Sequence, residues 1–377
     1  MTMRSISLSI FIIHLLTSCT TLPPTEGGLS KPVKWSALKG WNDDHHGDAW
    51  PALIQSCRKL ASRDSDWSSI CKAVDALGVP NDETARIFFE TYFIAHRVVG
   101  PRGKKKGLIT GYYEPLLNGS LEPTDRYRYP VYGRPPDLLI IDLGGVYPDL
   151  KGKRVRGRLE GTTKVTPYYS RAEIESDEPP LAGHELAWVD DPVSLYFLHV
   201  QGSGRIQLSN GETIAVGYAD QNGRPYVSIG RQLLQMDALK KEDITLGSIR
   251  DWITEHPDQL EALLFSNPSY VFFTIRDSKL PGPLGSLNVP LTPGRSIAVD
   301  SKFISPGLPV WLITTLAIDE RPYRRLVLAQ DTGGAIKGAV RADVFFGQGE
   351  KAERLAGTMK QKGQLFVLLP KQQGETK

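Results

Sequence analysis

Ala329-Gln-Asp-Thr-Gly-Gly-Ala-Ile-Lys-Gly-Ala-Val-Arg-Ala-Asp-Val-Phe-Phe-Gly347 holds two aspartates, Asp331 and Asp343, on either side of a Gly-rich turn. Leu326-Val-Leu-Ala329, just before Asp331, reads as a buried strand, and Val344-Phe-Phe346, just after Asp343, as the end of another. Gly333, Gly334 and Gly338 let the backbone turn tightly between them. A third aspartate ends the β-like run Ser296-Ile-Ala-Val-Asp300. Carboxylates at three strand ends can converge in one cleft. Two held close together do not both ionise easily, so one stays protonated as a proton donor. Asp-Thr-Gly-Gly is also ordinary turn chemistry, so the spacing alone fits either a site or a structural turn.

The surrounding stretches separate these readings. Ala298-Val-Asp-Ser-Lys-Phe-Ile-Ser-Pro-Gly307, then Ala329 to Gly338, then Ala342-Asp-Val-Phe-Phe-Gly347 resemble the three-aspartate domain, a double-psi β-barrel. Upstream, Gly111-Tyr-Tyr-Glu-Pro115, Ser170-Arg-Ala-Glu-Ile174, His199-Val-Gln-Gly-Ser-Gly204, Tyr226-Val-Ser-Ile-Gly230 and Asn267-Pro-Ser-Tyr-Val-Phe-Phe273 resemble the other signature stretches of the membrane-bound lytic murein transglycosylase A family. Each stretch is weak by itself. Their order from about position 100 to the C-terminus is what makes the resemblance specific.

The chain has 377 residues, enough for two domains, and its composition is that of an ordinary globular protein. A net charge of +3 sets up no whole-molecule field for nucleic acid. Basic residues cluster in Arg102-Gly-Lys-Lys-Lys106 and Lys151-Gly-Lys-Arg-Val-Arg-Gly-Arg158. Solvated loops account for both clusters; contact with an anionic polymer or lipid headgroups is the functional alternative. Arg4 precedes an apolar run from Ile6 to Leu16, too short to span a bilayer. Leu16-Thr-Ser-Cys19 after it resembles a bacterial lipoprotein box, cut before Cys19 with that cysteine acylated, and Thr20 in place of Asp favours the outer membrane. The expected location is the outer membrane, facing the periplasm. Two other cysteines, Cys57 and Cys71, lie fourteen residues apart in a helical-looking region; a disulfide and two buried thiols are both open. The histidines are scattered, and the one pair, His45-His46, reads as an exposed loop rather than a metal site.

Along the chain, 1–18 reads as the signal peptide and 19–48 as a loop-like tether. Residues 49–99 read as helices, with Asn81 an N-cap for the segment that carries Phe88, Phe89, Tyr92 and Phe93. From Leu108 short β-like runs alternate with Gly and Pro, among them Leu195-Tyr-Phe-Leu-His-Val200. A helical interlude covers about 229–264, and the last hundred residues are again β-rich with one short helix after Gly349. The fold class is therefore mainly β. The resemblance implies two domains with a cleft between them: 49–111 with 278–377 as helices plus double-psi barrel, and 112–277 as an inserted second β-barrel domain.

Cleaving a glycosidic bond needs an acid at the leaving oxygen. The family resemblance implies a lyase that acts on peptidoglycan glycan strands, an exotransglycosylase. In such enzymes the muramic acid's own 6-hydroxyl attacks, giving a 1,6-anhydro sugar, and one carboxyl serves as acid and then base. Asp343, followed by Val344, Phe345 and Phe346, sits in the more apolar setting, which raises a carboxyl's pKa, and a charged Asp331 nearby would raise it further. The hydroxyl and backbone N–H groups of Thr332, Gly333 and Gly334, which follow Asp331, can hold it as an anion. The resemblance also makes Asp343 the acid/base, Asp331 its electrostatic and hydrogen-bonding partner, and Asp300 a structural carboxylate. Tyr112, Tyr113, Gln201, Ser203, Tyr218 and Thr332 are candidates for lining the sugar groove. No cofactor or metal is implied. The partners implied are glycan strands, outer-membrane lipid through Cys19, and cell-wall synthesis complexes, with no nucleic acid. Two other readings stay open: a non-catalytic peptidoglycan-binding protein, and a hydrolase leaving reducing ends.

Overall fold

Near-continuous apolar runs in the C-terminal third form strands that are buried on both faces, not one. Their inner faces fill a barrel, and their outer faces are covered by N-terminal helices. The structure, a computed structural model, describes residues 27–372 apart from Arg154; Cys19 and the signal segment lie outside the described residues. Eight strands form the first sheet. Six of them close on themselves in the order Lys360–Pro370, Pro309–Thr315, Pro322–Asp331, Ser296–Val299, Arg341–Gln348 and Gly107–Glu114, the last pairing back to the first. Two of the pairings are parallel, Ser296–Val299 with Pro322–Asp331 and Arg341–Gln348 with Gly107–Glu114.

Helices Trp50–Leu60, Ser65–Leu77 and Asp82–Tyr92 pack on this barrel through a shared core that includes Trp50, Trp67, Phe89, Trp311 and Phe366. Asp64 and Asn81 cap the second and third by accepting from Trp67 N and Thr84 N. Cys57 and Cys71 form a disulfide between the first two helices. The fully buried Arg295 ties the entry segment to the barrel. Its Nη1 donates to Asp44 Oδ2 at 2.7 Å and to the Leu326 carbonyl at 3.0 Å. Its Nη2 donates to Asp44 Oδ1 at 3.1 Å and to the His45 carbonyl at 2.8 Å.

A second, six-stranded sheet runs in the order Val271–Arg276, Thr213–Gln221, Ser203–Leu208, Leu116–Ser120, Glu185–Val189 and Tyr129–Tyr132. A bridge between Gly133 and Phe273 joins its two edges. Three short strands, Leu139–Ile140, Arg156–Glu160 and Lys164–Pro167, form a separate sheet.

Several expectations from the sequence are corrected here. The tether 19–48 does not stay loop-like: Gly28–Val33 pairs with Phe93–Val99, which is itself a strand at the end of the region read as helical. Part of the basic run Lys151 to Arg158 is likewise the start of a strand, Arg156–Glu160. His46 is buried, edge-on to Trp41 and stacked on Trp311, while His45 is exposed on Asp82. The run 195–200 is not a strand but lies in the helix Pro192–Gln201. Asp191 caps its start by accepting from Val193 N and Ser194 N, and Gly202 ends it at φ 77°. Those caps outweigh the strand-like look of an unbroken apolar run.

Candidate active site

Asp331 and Asp343 are brought together by Ala298. In the sheet Ala298 lies opposite Asp331 on one side and opposite Asp343 on the other. The two carboxylates therefore sit two strand spacings apart in backbone, roughly 10 Å, over a side chain too small to separate them. Asp331 ends its strand, as read from the sequence. Asp343 does not: it is the third residue of Arg341–Gln348, with Thr110 opposite it on the far side.

Asp343 keeps part of its surface open to the cleft while its carboxyl is enclosed by protein on the other sides. That burial is the main reason its pKa is pushed up to about 6. Thr110 Oγ1 donates to Asp343 Oδ1 at 2.5 Å, and this bond and the Arg341 cation oppose the rise. Asp331 adds to it, as expected, but as the smallest of the causes. Proximity of two carboxylates thus matters less here than desolvation of one.

Asp331 is held by three donors. Ser286 N and Thr332 N both reach Oδ1 at 2.8 Å, and Tyr112 Oη reaches Oδ2 at 3.0 Å. Burial nevertheless raises its pKa, with the three donors pulling the other way. Of the expected holders, only Thr332 is among these donors. Ser286 takes the place of Gly333 and Gly334, and it can do so because of its neighbour: a Cβ at Gly285 would lie 2.4 Å from the Gln330 carbonyl oxygen. Asp300 is engaged in turn geometry, with Oδ2 accepting from Gly338 N at 2.8 Å and Oδ1 from Lys302 N at 3.1 Å.

Both aspartates line a cleft of about 850 Å³ between the two sheets. Tyr112, Gln201, Ser203, Tyr218 and Thr332 line it too. Tyr113 does not: it is buried in a small cluster with Ala352 and Ala356, under the helix Gly349–Thr358. Neighbours along a strand point to opposite faces, so Tyr112 and Tyr113 cannot both enter the cleft. The sequence reading missed Thr110, Ser286, Glu114 and Arg205. Thr110 directly precedes the quoted Gly111-Tyr-Tyr-Glu-Pro115. Ser286 follows the Pro/Gly-rich stretch Pro281-Gly-Pro-Leu-Gly285, and no local signal marks it. Among the described residues no cluster of His, Cys, Asp and Glu could hold a metal ion, and no helix is long and apolar enough to cross a membrane.

Comparison with known proteins fits this geometry. Residues 108–274 match the model of the MltA specific insert domain and residues 295–369 that of the 3D domain. The chain is 30% identical over 275 residues to the membrane-bound lytic murein transglycosylase A of Vibrio cholerae, covering 71% of this chain and 67% of that protein. The crystal structure of MltA from Neisseria gonorrhoeae in its monoclinic form superposes with a TM-score of 0.78 at 34% identity, over 93% of this chain and 96% of that one. The chain belongs to the membrane-bound lytic murein transglycosylase A family. It is a peptidoglycan lytic transglycosylase, a lyase acting on a polysaccharide. A further member, E. coli MltA with bound chitohexaose, superposes on this transglycosylase with a TM-score of 0.67 at 25% identity, over 94% of this chain and 97% of that one.

Proposed function

We propose that this transglycosylase uses Asp343 as its single acid and base to cleave the β-1,4 bond between N-acetylmuramic acid and N-acetylglucosamine. One observation carries this reading: a half-buried carboxyl with a pKa pushed up to about 6 stands on the floor of a two-walled cleft beside a second carboxylate held by three donors. Protonated Asp343 gives its proton to the leaving glycosidic oxygen as the bond to C1 breaks. Positive charge develops at the ring, and the Asp331 carboxylate faces it. Asp343, now ionised, takes the proton from the muramic 6-hydroxyl as that oxygen bonds C1. The 1,6-anhydro end forms without water, and Asp343 is returned to its acid form. The glycan-bound relative and the chemistry of the lining residues support a glycan strand as the ligand. Release of one anhydro-disaccharide at a time from strand ends is the exo mode of this reaction. The domain limits proposed are 112–277 for the insert, with 49–111 and 278–377 forming the barrel side.

Mass spectrometry of digested murein tests the reading. Anhydromuramic ends are expected. Reducing ends would make the protein a hydrolase, and intact murein would make it a binding protein.

Two neighbours of the acid should move its titration in opposite directions. Thr110→Val removes a donor that favours the ionised form, so the descending limb of the pH–rate profile should shift to higher pH. Asp331→Asn removes a like charge and should shift that limb to lower pH, with lower turnover and glycan binding nearly intact. A common shift of both variants in one direction would contradict the assignment.

We also place the protein at the outer membrane, anchored by lipid on Cys19 and facing the periplasm. The motif Leu16-Thr-Ser-Cys19 supports this, and the relatives' own names call them membrane-bound. Cys19→Ala should release active enzyme from the membrane fraction and abolish palmitate labelling. Unchanged fractionation and labelling would overturn the anchor.

A further inference from the structure

The chain passes twice between the barrel and the inserted domain. It leaves where the strand Gly107–Glu114 runs into Leu116–Ser120, and it returns after Val271–Arg276. One side chain touches both passages. Arg205, in the strand Ser203–Leu208 of the insert, donates from Nε to Glu114 Oε2 at 3.2 Å on the outgoing passage. It donates from Nη1 to the Ser278 carbonyl at 2.8 Å and from Nη2 to the Leu280 carbonyl at 2.9 Å on the return. Its own backbone N–H donates to the Pro115 carbonyl at 2.8 Å. Glu114 is buried, and Gln348, at the end of the strand that carries Asp343, also donates to its Oε2.

The return passage matters for the chemistry. It runs from Leu280 along the cleft to Gly285 and Ser286, all of which line it, and Ser286 N–H is one of the three donors on Asp331. No main-chain ladder fixes residues 277–281; the Leu284–Pro290 bridge begins only beyond them. Arg205 is therefore what fastens the near end of this segment, and through it the insert's wall of the cleft is set against the carboxylate pair. A guanidinium suits this task because its planar fork reaches three acceptors at once, which an ammonium on a flexible stem does not do.

We infer that Arg205 is a positioning residue for the lytic reaction, clamping both interdomain passages so that the insert's glycan-binding wall and the Ser286 donor are held in register with Asp331 and Asp343. This rests on the reading that the cleft holds the glycan strand during cleavage.

The test uses the full-length enzyme and two variants, Arg205→Lys and Arg205→Met, with steady-state kinetics on soluble glycan strands and hydrogen exchange by mass spectrometry. Each variant loses hydrogen bonds made by a charged group. KM should rise about tenfold in both, with kcat falling less, while peptides covering 278–288 exchange faster and those of the barrel core do not. Arg205→Lys keeps the charge beside Glu114 and protects the fold, so it separates clamping from loss of stability. If Arg205→Lys shows wild-type KM and wild-type exchange at 278–288, charge alone suffices and the clamp is wrong. If exchange rises throughout the molecule and apparent kcat falls with the folded fraction while KM stays at the wild-type value, Arg205 is only a structural residue. The exchange arm needs no substrate, so a failure of the glycan reading, seen as wild-type enzyme leaving strands uncut, is distinguishable from a failure of the clamp.

Discussion

Asp343→Asn is expected to lower turnover by at least about 10²-fold, the low end of what a positioned acid–base group contributes. The amide keeps the shape of the side chain and can still accept the Thr110 hydrogen bond seen at Oδ1, so glycan binding should survive. The loss should exceed that minimum if no other carboxyl takes over, and the three donors on Asp331 fix it in place rather than leaving it free to swing in. The fold should gain stability from the same change. Asp343 has a folded-state pKa near 6, above the ordinary value of 3.8. Between those values the folded state binds more protons than the unfolded chain, so the group's contribution to stability falls as pH rises through that window. At pH 7 both states are ionised and the full cost is present, about 3 kcal/mol at most. Urea unfolding at pH 7 should show the Asn variant more stable, with the difference shrinking toward pH 4. Anhydro-muropeptide formation at more than about a tenth of the normal rate, well above the expected range, would remove Asp343 from the acid's role and make Asp331 the next candidate.

Asp44→Ala carries the largest expected effect on stability. Asp44 accepts from both terminal nitrogens of Arg295, and its Oδ2 also accepts from Leu326 N at 2.8 Å. Arg295 is 2% exposed. Removing one partner of a buried, hydrogen-bonded pair leaves a charge without compensation and typically costs about 3–5 kcal/mol. That is a large part of a domain's whole stability. Asp48 cannot fully take over, because it is more than half exposed. The strand Pro322–Asp331 that receives this contact ends in Asp331, so partial activity loss at elevated temperature should accompany the lower unfolding midpoint. A loss below about 1 kcal/mol, typical of a surface pair, would show that Asp48 and the backbone carbonyls suffice.

Why the sequence carried so much of this is a matter of local physics. The two aspartates and their turn lie within one short stretch, so strand, turn and strand could be read from apolar runs and glycines. The capped helix at Asn81 was legible because its cap is local. The position of Asp343 inside its strand was not, because strand ends are set by pairing, here with Ala298 and Thr110 from distant parts of the chain. Tyr113 was misplaced because two adjacent aromatics gave no phase; the strand's alternation against Ala352 and Ala356 decides it. The segment after position 27 read as a loop because a lone edge strand shows its nature only in its partner, Phe93–Val99. Ser286 became a ligand of Asp331 only through the close approach that Gly285 permits, which no sequence pattern encodes.

The central claim is that one enclosed carboxyl, at Asp343, is poised as the acid. Carbon-13 NMR of enzyme labelled at the aspartate side-chain carboxyls measures it directly, with the Asp343 resonance assigned as the one missing from Asp343→Asn. The account predicts a midpoint near 6 for that resonance, moving down in Asp331→Asn and up in Thr110→Val. A midpoint near 4, the ordinary range for an aspartate, would contradict it.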